Sequence, residues 1–462
     1  MQGRAKHSQK QVVTLSGLIL VFSLLSIHIG PDRLLSAVTT QAAAAENGKR
    51  LLTQADFKYV GAFSLPAATP SGGDASFGIG LTHRYVNGEL HILAGGWNPQ
   101  VVYEVRVPNP SVTTPLPQAQ AVRDWGDVTG SKRYTGSGSS QIYGLYWDEP
   151  DKRLYWSYGD NYNVAYFDDP SVGYSTLNDT TGVATPVGVW KFTGRGQKLA
   201  MGCVFPVPQW FADLYTGGKR LGAGCGGYFS GVQNISAGPA LTTFSPPDIQ
   251  TLPDRSSLTF TNLLGYPTDP QNVGVAYSTP DRCHRDTDYS GDGSSWIAWP
   301  PKGGIGYWTA LDVLNQGGTW IDLPDKHAVI YFPQLGNGHV WYTSGMHLSA
   351  DRFSHWWYLY DPADLAKVAQ GQKQQWEIQP VAEWQIQYPG LSYPLIGGAD
   401  AGTPNFMTGV TYDSTTRRLY VGVALADSSH GLYGSTKVYV YEVQSGSADT
   451  TPPAAPQGLR VR

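Results

Sequence analysis

The chain has 462 residues, a formal net charge of −4 and 15% charged residues, against about 25% in typical globular domains. This length can bury a large core, and 55 glycines with 32 prolines indicate a turn-rich folded chain rather than a disordered one. The mild acidic balance argues against a nucleic-acid partner, and the scarcity of clustered helix formers excludes an all-helical fold.

The first segment, residues 1–45, is expected to be a signal peptide. Arg4, Lys6 and Lys10 precede an apolar run over residues 12–29, and alanines before Glu46 offer a small-residue cleavage site. The run is close to the ~18 residues that can span a bilayer, so an uncleaved membrane anchor is the alternative. With no second long apolar run in the sequence, we expect a secreted, extracellular monomer with no membrane contact after signal removal.

The middle of the chain, residues 46–444, is predicted to be all-β and to form one β-propeller. A strand, a tight turn and a second strand recur at residues 144–156 and 409–421, and more weakly at 80–92. Further strands follow such hairpins at residues 101–107, 187–192, 356–360 and 438–443. At about 40–50 residues per blade the length predicts seven blades, within a range of six to eight, and a pair of β-sandwiches is the alternative.

Two short helices and a linker complete the prediction. Residues 208–215 and 362–371 start at proline and contain good helix formers, and the second ends at glycine. Residues 445–462 are rich in Ser, Thr and Pro, which is typical of a linker. Within them, DTTPPAAPQGLRV resembles the opening of a fibronectin type III module of bacterial extracellular proteins.

Three segments resemble a known group of proteins. They read DFKYVGAFSLP at residues 56–66, MGCVFPVPQW at 201–210 and DPADLAKVAQGQKQQWEI at 361–378. Over most of residues 51–443 the chain resembles a group of uncharacterised secreted bacterial proteins with a propeller-like layout. The resemblance implies the fold and export, and it transfers no catalytic residue because that group has no established activity.

Residues 286–294 match part of a calcium loop. Glycine stands at the sixth position, where the loop must turn sharply, and the alternating oxygen ligands are Asp286, Asp288, Ser290 and Asp292. The twelfth position holds Ile297 instead of glutamate, so another ligand must come from elsewhere. The sequence therefore predicts a calcium site here, and an acidic surface turn is the alternative.

Residues around this loop are candidates for contact with a polysaccharide. His284, Arg285 and Tyr289 carry the chemistry of a lyase, which removes a proton beside a uronate carboxylate. Trp296 and Trp299 offer flat rings on which sugars stack.

A second enzymatic interpretation uses two carboxylates, as glycoside hydrolases do, and its candidates include Asp160 and Asp400. No spacing rule shows which carboxylates face each other across blades. For each of these residues a structural role is the competing interpretation.

Two functions fit the sequence. The first is a secreted propeller that acts on extracellular polysaccharide or a cell-surface glycan, as a lyase or a glycoside hydrolase. The alternative is a non-catalytic module that binds carbohydrate or protein. Converging titratable groups would favour the enzyme, and an aromatic surface without them would favour binding.

Other residues have mainly structural interpretations. His339, His347 and His355 are spaced by eight, which suits either a three-histidine metal site or partly buried histidines bonded to the backbone. Residues 348–354 look like a turn between them, which weakens the metal interpretation. Most of the 15 tryptophans are expected to pack between blades.

Overall fold

A computed structural model gives the structure of the protein. It describes residues 48–96, 101–130, 132–133, 140–160, 169–194, 200–224, 237–266, 287–288, 313–314, 317–342, 348–396, 405–428 and 434–446. The chain separates into two compact units, residues 1–46 and 47–462, and every described residue belongs to the second. The predicted signal peptide, residues 1–45, and all but the first two residues of the predicted linker, residues 445–462, therefore lie outside the described residues. Neither described α-helix is long and apolar enough to cross a membrane.

The described strands form four four-stranded antiparallel sheets and one nine-stranded sheet that contains a fifth four-stranded antiparallel set. These five sets are here called blades 1 to 5. From the inner to the outer edge, blade 1 contains Ile79–Val86, Glu89–Gly95, Val102–Arg106 and Gln120–Asp124. Blade 2 contains Ser140–Asp148, Arg153–Asp160, Val172–Asn178 and Val183–Trp190. Blade 3 contains Cys203–Pro206, Leu221–Gly224, Ala237–Phe244 and Phe260–Tyr266. Blade 4 contains Gly318–Asp322, Lys326–Tyr331, Leu348–Tyr360 and Ala382–Ile386.

Blade 5 joins the two ends of the described chain. Its first three strands are Met407–Asp413, Arg418–Asp427 and Ser435–Val443, and its outer strand is Phe57–Ser64. The outer strand pairs with Ser435–Val443 in antiparallel register from Phe57 opposite Val443 to Ser64 opposite Lys437. The start of the domain is thereby hydrogen-bonded to its end, which closes the ring of blades.

The inner strands show that the ring is complete. Each contacts the inner strand of the next blade, and blade 5 returns to blade 1. The propeller prediction is confirmed, and the ring of described strands closes at five blades against the seven predicted. The inner strands begin at residues 79, 140, 203, 318 and 407. The described inner strands thus start further apart than the usual ~40–50 residues, so the length divided by that spacing does not give the number of described blades.

Glycine permits the close approach of the inner strands at the axis. A Cβ on Gly409 in blade 5 would lie 2.4 Å from the backbone nitrogen of Leu81 in blade 1. A Cβ on Gly144 in blade 2 would lie 2.7 Å from Cα of Cys203 in blade 3. Both glycines begin the recurring hairpin motif of the sequence, so that motif marks the inner strands.

The hydrophobic core is divided among the blade interfaces. Each of the five largest clusters of buried apolar residues joins two neighbouring blades. Six tryptophans are buried in these clusters: Trp125, Trp147, Trp156, Trp190, Trp320 and Trp357. Four more are partly buried and pack against them: Trp210, Trp356, Trp376 and Trp384. The prediction that tryptophans pack between blades is confirmed for these residues.

The remaining elements are short. Helix α1, Gln209–Tyr215, and helix α2, Pro362–Ala369, match the two predicted helices, and a 3-10 helix spans Gln54–Asp56. The additional strands are Arg50–Leu51, Thr287–Asp288, Val313–Leu314, Gln334–Tyr342 and Leu395–Ile396. The expected turn at residues 348–354 was wrong, because they lie in the strand Leu348–Tyr360, where they pair with Gln334–Tyr342.

Candidate functional site

A cavity of about 490 Å³ lies on the propeller axis, and all five blades contribute to its lining. The lining residues come from the later parts of the inner strands and from the segments that follow them. They are grouped at residues 81–85, 145–150, 204–210, 319–322 and 410–415. Inner strands of a propeller run in the same direction, so their carboxyl ends meet at one end of the ring. We call this space the axial cavity.

The lining is rich in aromatic side chains. Three tyrosines and three tryptophans line it, and every blade or the segment after it contributes at least one of them. They are Tyr85, Tyr146, Trp147, Trp210, Trp320 and Tyr412. Three carboxylates, Glu149, Asp322 and Asp413, line the same space. The axial cavity thus combines flat apolar rings with acidic groups.

Each of these carboxylates accepts a hydrogen bond from one of the cavity's aromatic side chains. The hydroxyl of Tyr85 donates to Oδ2 of Asp413 at 2.7 Å. Nε1 of Trp147 donates to Oε2 of Glu149 at 2.6 Å. Nε1 of Trp210 donates to Oδ2 of Asp322 at 2.9 Å. We call these the three aromatic–carboxylate pairs, and their effect is to fix the orientation of three rings around the cavity.

Asp413 is the most enclosed of the three carboxylates, with its side chain 1% exposed. Besides Tyr85, it accepts hydrogen bonds from the backbone N–H of Thr415 at 2.9 Å and from the hydroxyl of Thr416. Burial acts to raise the pKa of Asp413, but the hydrogen bonds from Thr416 and Tyr85 outweigh it and leave the pKa below its usual value. Asp413 is therefore ionised at neutral pH and serves as a fixed acceptor.

His83 is the imidazole of the axial cavity. Its Nδ1 lies 2.8 Å from the Thr411 hydroxyl, and its Nε2 lies 3.8 Å from Oδ1 of Asp413. Burial lowers the pKa of His83, and the charge of Asp413 offsets part of that effect. The ring is thus neutral at pH 7 and presents one donor and one acceptor nitrogen.

Arg84 is the single lysine or arginine among the described lining residues, and its charge is already balanced. Its guanidinium donates to both oxygens of Glu104, at 2.9 and 2.7 Å, and to both oxygens of Asp179, at 3.2 and 2.7 Å. It also lies 5.3 Å from the ring centre of Trp147. Arg84 therefore supports the wall of the cavity and has no free fork for a bound anion.

Two donors at the cavity remain without a described partner. Nε1 of Trp320 and the hydroxyl of Tyr412 are both buried and make no hydrogen bond to any described residue. Trp320 is 4% exposed, and burial followed by the charge of Asp413 raises the pKa of Tyr412 to about 12. Both side chains therefore stay neutral donors at any ordinary pH.

Most residues predicted from the sequence as functional are not among these. His284, Arg285, Tyr289, Trp296 and Trp299 lie outside the described residues, as do four others: Asp286, Ser290, Asp292 and Asp400. Their predicted roles stay predictions.

Two predicted residues belong to described strands. Asp160 ends the second strand of blade 2. Asp288 lies in Thr287–Asp288, whose backbone pairs in parallel with Gly338 and His339.

Of the three spaced histidines, His355 is buried, with Nδ1 2.7 Å from the Tyr393 hydroxyl and Nε2 2.9 Å from the Asn405 carbonyl oxygen. The structural interpretation holds for His355.

The calcium prediction has no support among the described residues. Within them, no group of three or more His, Cys, Asp or Glu side chains is arranged to hold a metal ion. Three of the four predicted ligands lie in the part of the chain that the structure does not describe. Calcium therefore stays a prediction for the segment 286–292.

The residues of the axial cavity were missed by sequence reasoning, although a signal was present. The recurring hairpin motif places Asp413 four positions after Gly409, and the weaker copy places Arg84 four positions after Gly80. Asp413 is the last residue of its inner strand, Arg84 lies in the later part of its own, and both line the cavity. Reading the motif as a marker of inner strands would have indicated their position.

Comparisons with known proteins give similarities of low degree. No protein-family model and no curated protein matches the chain. Among solved structures, a member of the DUF4221 family from Bacteroides vulgatus is 8% identical, covers 87% of this chain and 100% of its own, and has a TM-score of 0.35.

Two enzymes are similar at the same level. A GH43_1 enzyme from Xanthomonas citri is 8% identical, with 87% of this chain and 92% of that chain covered and a TM-score of 0.35. A β-xylosidase/α-arabinofuranosidase from a compost microbial metagenome is 8% identical, with 82% and 93% covered and a TM-score of 0.38. The assignment of the fold rests on the closed ring of blades, and no residue role is taken from these structures.

Proposed function

We propose that this protein is an exported carbohydrate-binding propeller whose axial cavity takes up one end of an extracellular polysaccharide or glycan. The three aromatic–carboxylate pairs carry the proposal. They hold three rings in fixed orientations around one space, and rigid aromatic faces are the surfaces on which the C–H faces of sugars pack. Export is part of the proposal and is supported by the pattern of residues 1–45.

The size and polarity of the axial cavity suit a short saccharide. Its volume of about 490 Å³ falls within the ~300–1,000 Å³ typical of small-molecule sites. Glu149 and Asp322, whose side chains are more exposed than that of Asp413, keep acceptor capacity for a sugar hydroxyl, because a carboxylate offers about four lone-pair positions. His83 and Thr411 add hydrogen-bonding groups on the same wall.

The described cavity supports binding better than catalysis. A glycosidase needs one carboxylic acid whose pKa is raised so that it can donate a proton. Asp413 has the opposite property, since its pKa lies below the usual value and its oxygens already accept three hydrogen bonds. Glu149 and Asp322 are each paired with a lysine as well as with a tryptophan.

Cleavage of the bound polysaccharide would rest on the residues predicted from the sequence, which are not among the described lining residues. For a lyase the candidates are His284, Arg285 and Tyr289, and for a hydrolase they are Asp160 and Asp400. Incubation of the full chain with polysaccharides, followed by measurement of unsaturated-product absorbance and reducing ends, tests both. A rise in either signal assigns an activity to this propeller in addition to binding.

The binding test uses two tryptophans that differ in one respect. Trp210 and Trp376 are both partly buried and pack against the same core cluster, but only Trp210 is among the described lining residues of the axial cavity. With the full chain titrated calorimetrically against neutral, amino and uronate oligosaccharides, Trp210→Ala is expected to weaken binding about tenfold. Trp376→Ala is expected to bind like the wild type. Absence of binding to every saccharide, or equal weakening by both substitutions, would overturn the proposal.

A further inference from the structure

Two pairs of side chains face each other where the inner strand of blade 5 meets the inner strand of blade 1. Thr411 and Asp413 are two positions apart on the first of these strands, so their side chains point to the same side of it. His83 and Tyr85 are spaced in the same way on the second strand. Thr411 lies opposite His83, and Asp413 lies opposite Tyr85. A hydroxyl, an imidazole and a carboxylate thus stand together in the wall of the axial cavity.

The imidazole of His83 lies between the hydroxyl and the carboxylate. Its Nδ1 is 2.8 Å from the Thr411 hydroxyl, and its Nε2 is 3.8 Å from Oδ1 of Asp413. The second distance is too long for a hydrogen bond, so Asp413 acts on the ring through its charge. A carboxylate beside Nε2 favours the tautomer that carries its proton on that nitrogen. Nδ1 is then an acceptor, and the hydroxyl of Thr411 donates a hydrogen bond to it.

This order of groups can activate a hydroxyl as a nucleophile. The hydroxyl needs a base within hydrogen-bond reach, and the base needs a third group that orients it. His83 is neutral at pH 7 because burial lowers its pKa, so it can take up a proton from Thr411. Asp413 is ionised and stabilises the imidazolium that forms. The side chain of His83 is 22% exposed against 1% for Asp413, so the base is the member of this pair that the cavity can reach.

The charges around the cavity indicate which kind of bond the hydroxyl can attack. The carboxylates of the lining are Glu149, Asp322 and Asp413, and its arginine, Arg84, is already paired with two other carboxylates. The described lining therefore offers no uncommitted cation to a sulfate or phosphate ester, which is itself negatively charged. A carboxylic ester is neutral and meets no such repulsion. The carboxylate that its cleavage produces is repelled by the lining, which favours release of the product.

We propose that Thr411 is the nucleophile and His83 the general base of an esterase that removes O-linked acyl groups, such as acetyl groups, from the saccharide in the axial cavity. The hydroxyl oxygen of Thr411 attacks the ester carbonyl carbon while its proton passes to Nδ1 of His83. The bond from that carbon to the sugar oxygen breaks, and the sugar oxygen takes the proton from Nδ1. Water then attacks the acyl-threonine and gives a proton to Nδ1. The acid leaves, and the oxygen of Thr411 takes that proton back.

The inference rests on the proposed function, because binding of the saccharide brings the ester to Thr411. It leaves the glycosidic bond intact, so it needs no carboxylic acid of raised pKa. A tetrahedral intermediate also needs a donor for its oxyanion. The candidates in the lining are Nε1 of Trp320 and the hydroxyl of Tyr412, which make no hydrogen bond to any described residue.

Release of acetate by the full chain tests the activity. The substrates are O-acetylated trisaccharides of xylose and of glucose, and the N-acetylglucosamine trisaccharide carries its acetyl groups in less reactive amides. The wild type is expected to release acetate from an O-acetylated substrate and not from the amide. Thr411→Val and His83→Gln are each expected to lower kcat at least about a hundredfold. Failure of the wild type to release acetate, or an unchanged rate in Thr411→Val, would overturn the inference.

Thr408→Val is the matched control. Thr408 is a buried threonine of the same inner strand, and it is not among the described lining residues of the axial cavity. This variant is expected to keep the wild-type rate. An equal loss of activity in Thr408→Val and Thr411→Val would show that the effect comes from the packing of the strand, and the inference would fail.

The acyl intermediate identifies the nucleophile directly. The full chain is mixed with para-nitrophenyl acetate, quenched with acid during the first turnover, digested and analysed by mass spectrometry. One acetyl group is expected on Thr411, and His83→Gln is expected to slow its formation. Thr411→Ser keeps a hydroxyl at this position and is expected to be acetylated there too. Acetyl groups found only at other residues, such as surface lysines, would contradict the assignment.

Calorimetry with Thr411→Val separates this inference from the proposed function, because this variant can bind an O-acetylated saccharide without cleaving it. If the wild type and the variant both bind and neither releases acetate, the carbohydrate-binding function stands and this inference is wrong. If no saccharide binds, both are wrong, whatever happens to the para-nitrophenyl ester. Circular dichroism and the melting temperature of each variant verify that it is folded.

Discussion

Tyr85 of blade 1 donates a hydrogen bond of 2.7 Å to Asp413 of blade 5, although 328 positions separate them in the chain. The contact joins the blade that begins the ring to the blade that closes it. Burial, with the hydrogen bond to Asp413 second, raises the pKa of Tyr85 well above its ordinary value, so the phenol remains a donor. One side-chain pair thus orients a ring of the axial cavity and links the first blade to the last.

Removal of that hydroxyl is expected to destabilise the fold. Tyr85→Phe leaves a buried carboxylate with one donor fewer, and we expect a loss of about 2 kcal/mol, typical of a hydrogen bond to a charged group. Urea unfolding measures the loss. Tyr59→Phe is the control, since the described contacts of Tyr59 are ring contacts with Tyr439 and Tyr441. Equal losses in both variants would show that the hydroxyl of Tyr85 contributes nothing specific.

Replacing a glycine of an inner strand is expected to lower the free energy of unfolding more than replacing a glycine of a turn. Gly409→Ala places a methyl group 2.4 Å from the backbone nitrogen of Leu81, and neither inner strand can move without disturbing its neighbour. We expect a loss of about 3 kcal/mol or more. Gly182→Ala, where φ is +72° and no heavy atom lies within 4 Å, should lose about 1 kcal/mol from backbone strain alone. Chemical denaturation measures the free energy of unfolding of both variants. An equal loss of stability in Gly182→Ala would contradict the prediction.

Local patterns in the sequence predicted the blades and marked two of the inner strands, but they could not predict which side chains meet in the cavity. The hairpins at residues 144–156 and 409–421 could be read because the strand period and the turn residues are local. His83 and Thr411 meet across 328 positions, and nothing local states that the strands carrying them are neighbours. The number of blades was similarly hidden, since it depends on how much chain lies between inner strands. Residues 284–299 were predicted to be functional because their side chains are chemically reactive. Residue type alone does not show where a side chain lies in the fold.

Acid is expected to destabilise the protein through buried histidines. Burial lowers the pKa of His355 from 6.5 to about 4, and the bond to the Asn405 carbonyl offsets only part of this. The unfolded chain therefore takes up a proton at higher pH than the folded chain, so stability falls as pH decreases from about 6.5 to about 4. The loss reaches about 3 kcal/mol for this residue alone.

The slope of stability against pH checks this assignment. Urea unfolding at neutral and mildly acidic pH should show a smaller acid loss for His355→Gln than for the wild type, whatever the stability of the variant at neutral pH. His83 and His327 also have lowered pKa values because of burial, so a reduced slope should remain in the variant. Identical slopes for the two proteins would mean that His355 does not titrate in this range.

Arg84 is expected to be the most costly charge to remove. It lies 4% exposed between Glu104 and Asp179, and Glu104 is 2% exposed and also accepts hydrogen bonds from His91 and Trp125. Arg84→Met leaves Glu104 as a buried carboxylate without its cation, which costs about 3–5 kcal/mol. Arg84→Lys restores a charge but not the fork that contacts two carboxylates, so it should recover only part of the loss.

Arg106, half exposed beside Glu89, provides the contrast, since Arg106→Ala should cost under about 1 kcal/mol. If the melting temperatures of Arg84→Met and Arg106→Ala fall equally, the buried pair of Arg84 and Glu104 does not stabilise blade 1, and the wall it gives the axial cavity must be supported by other contacts.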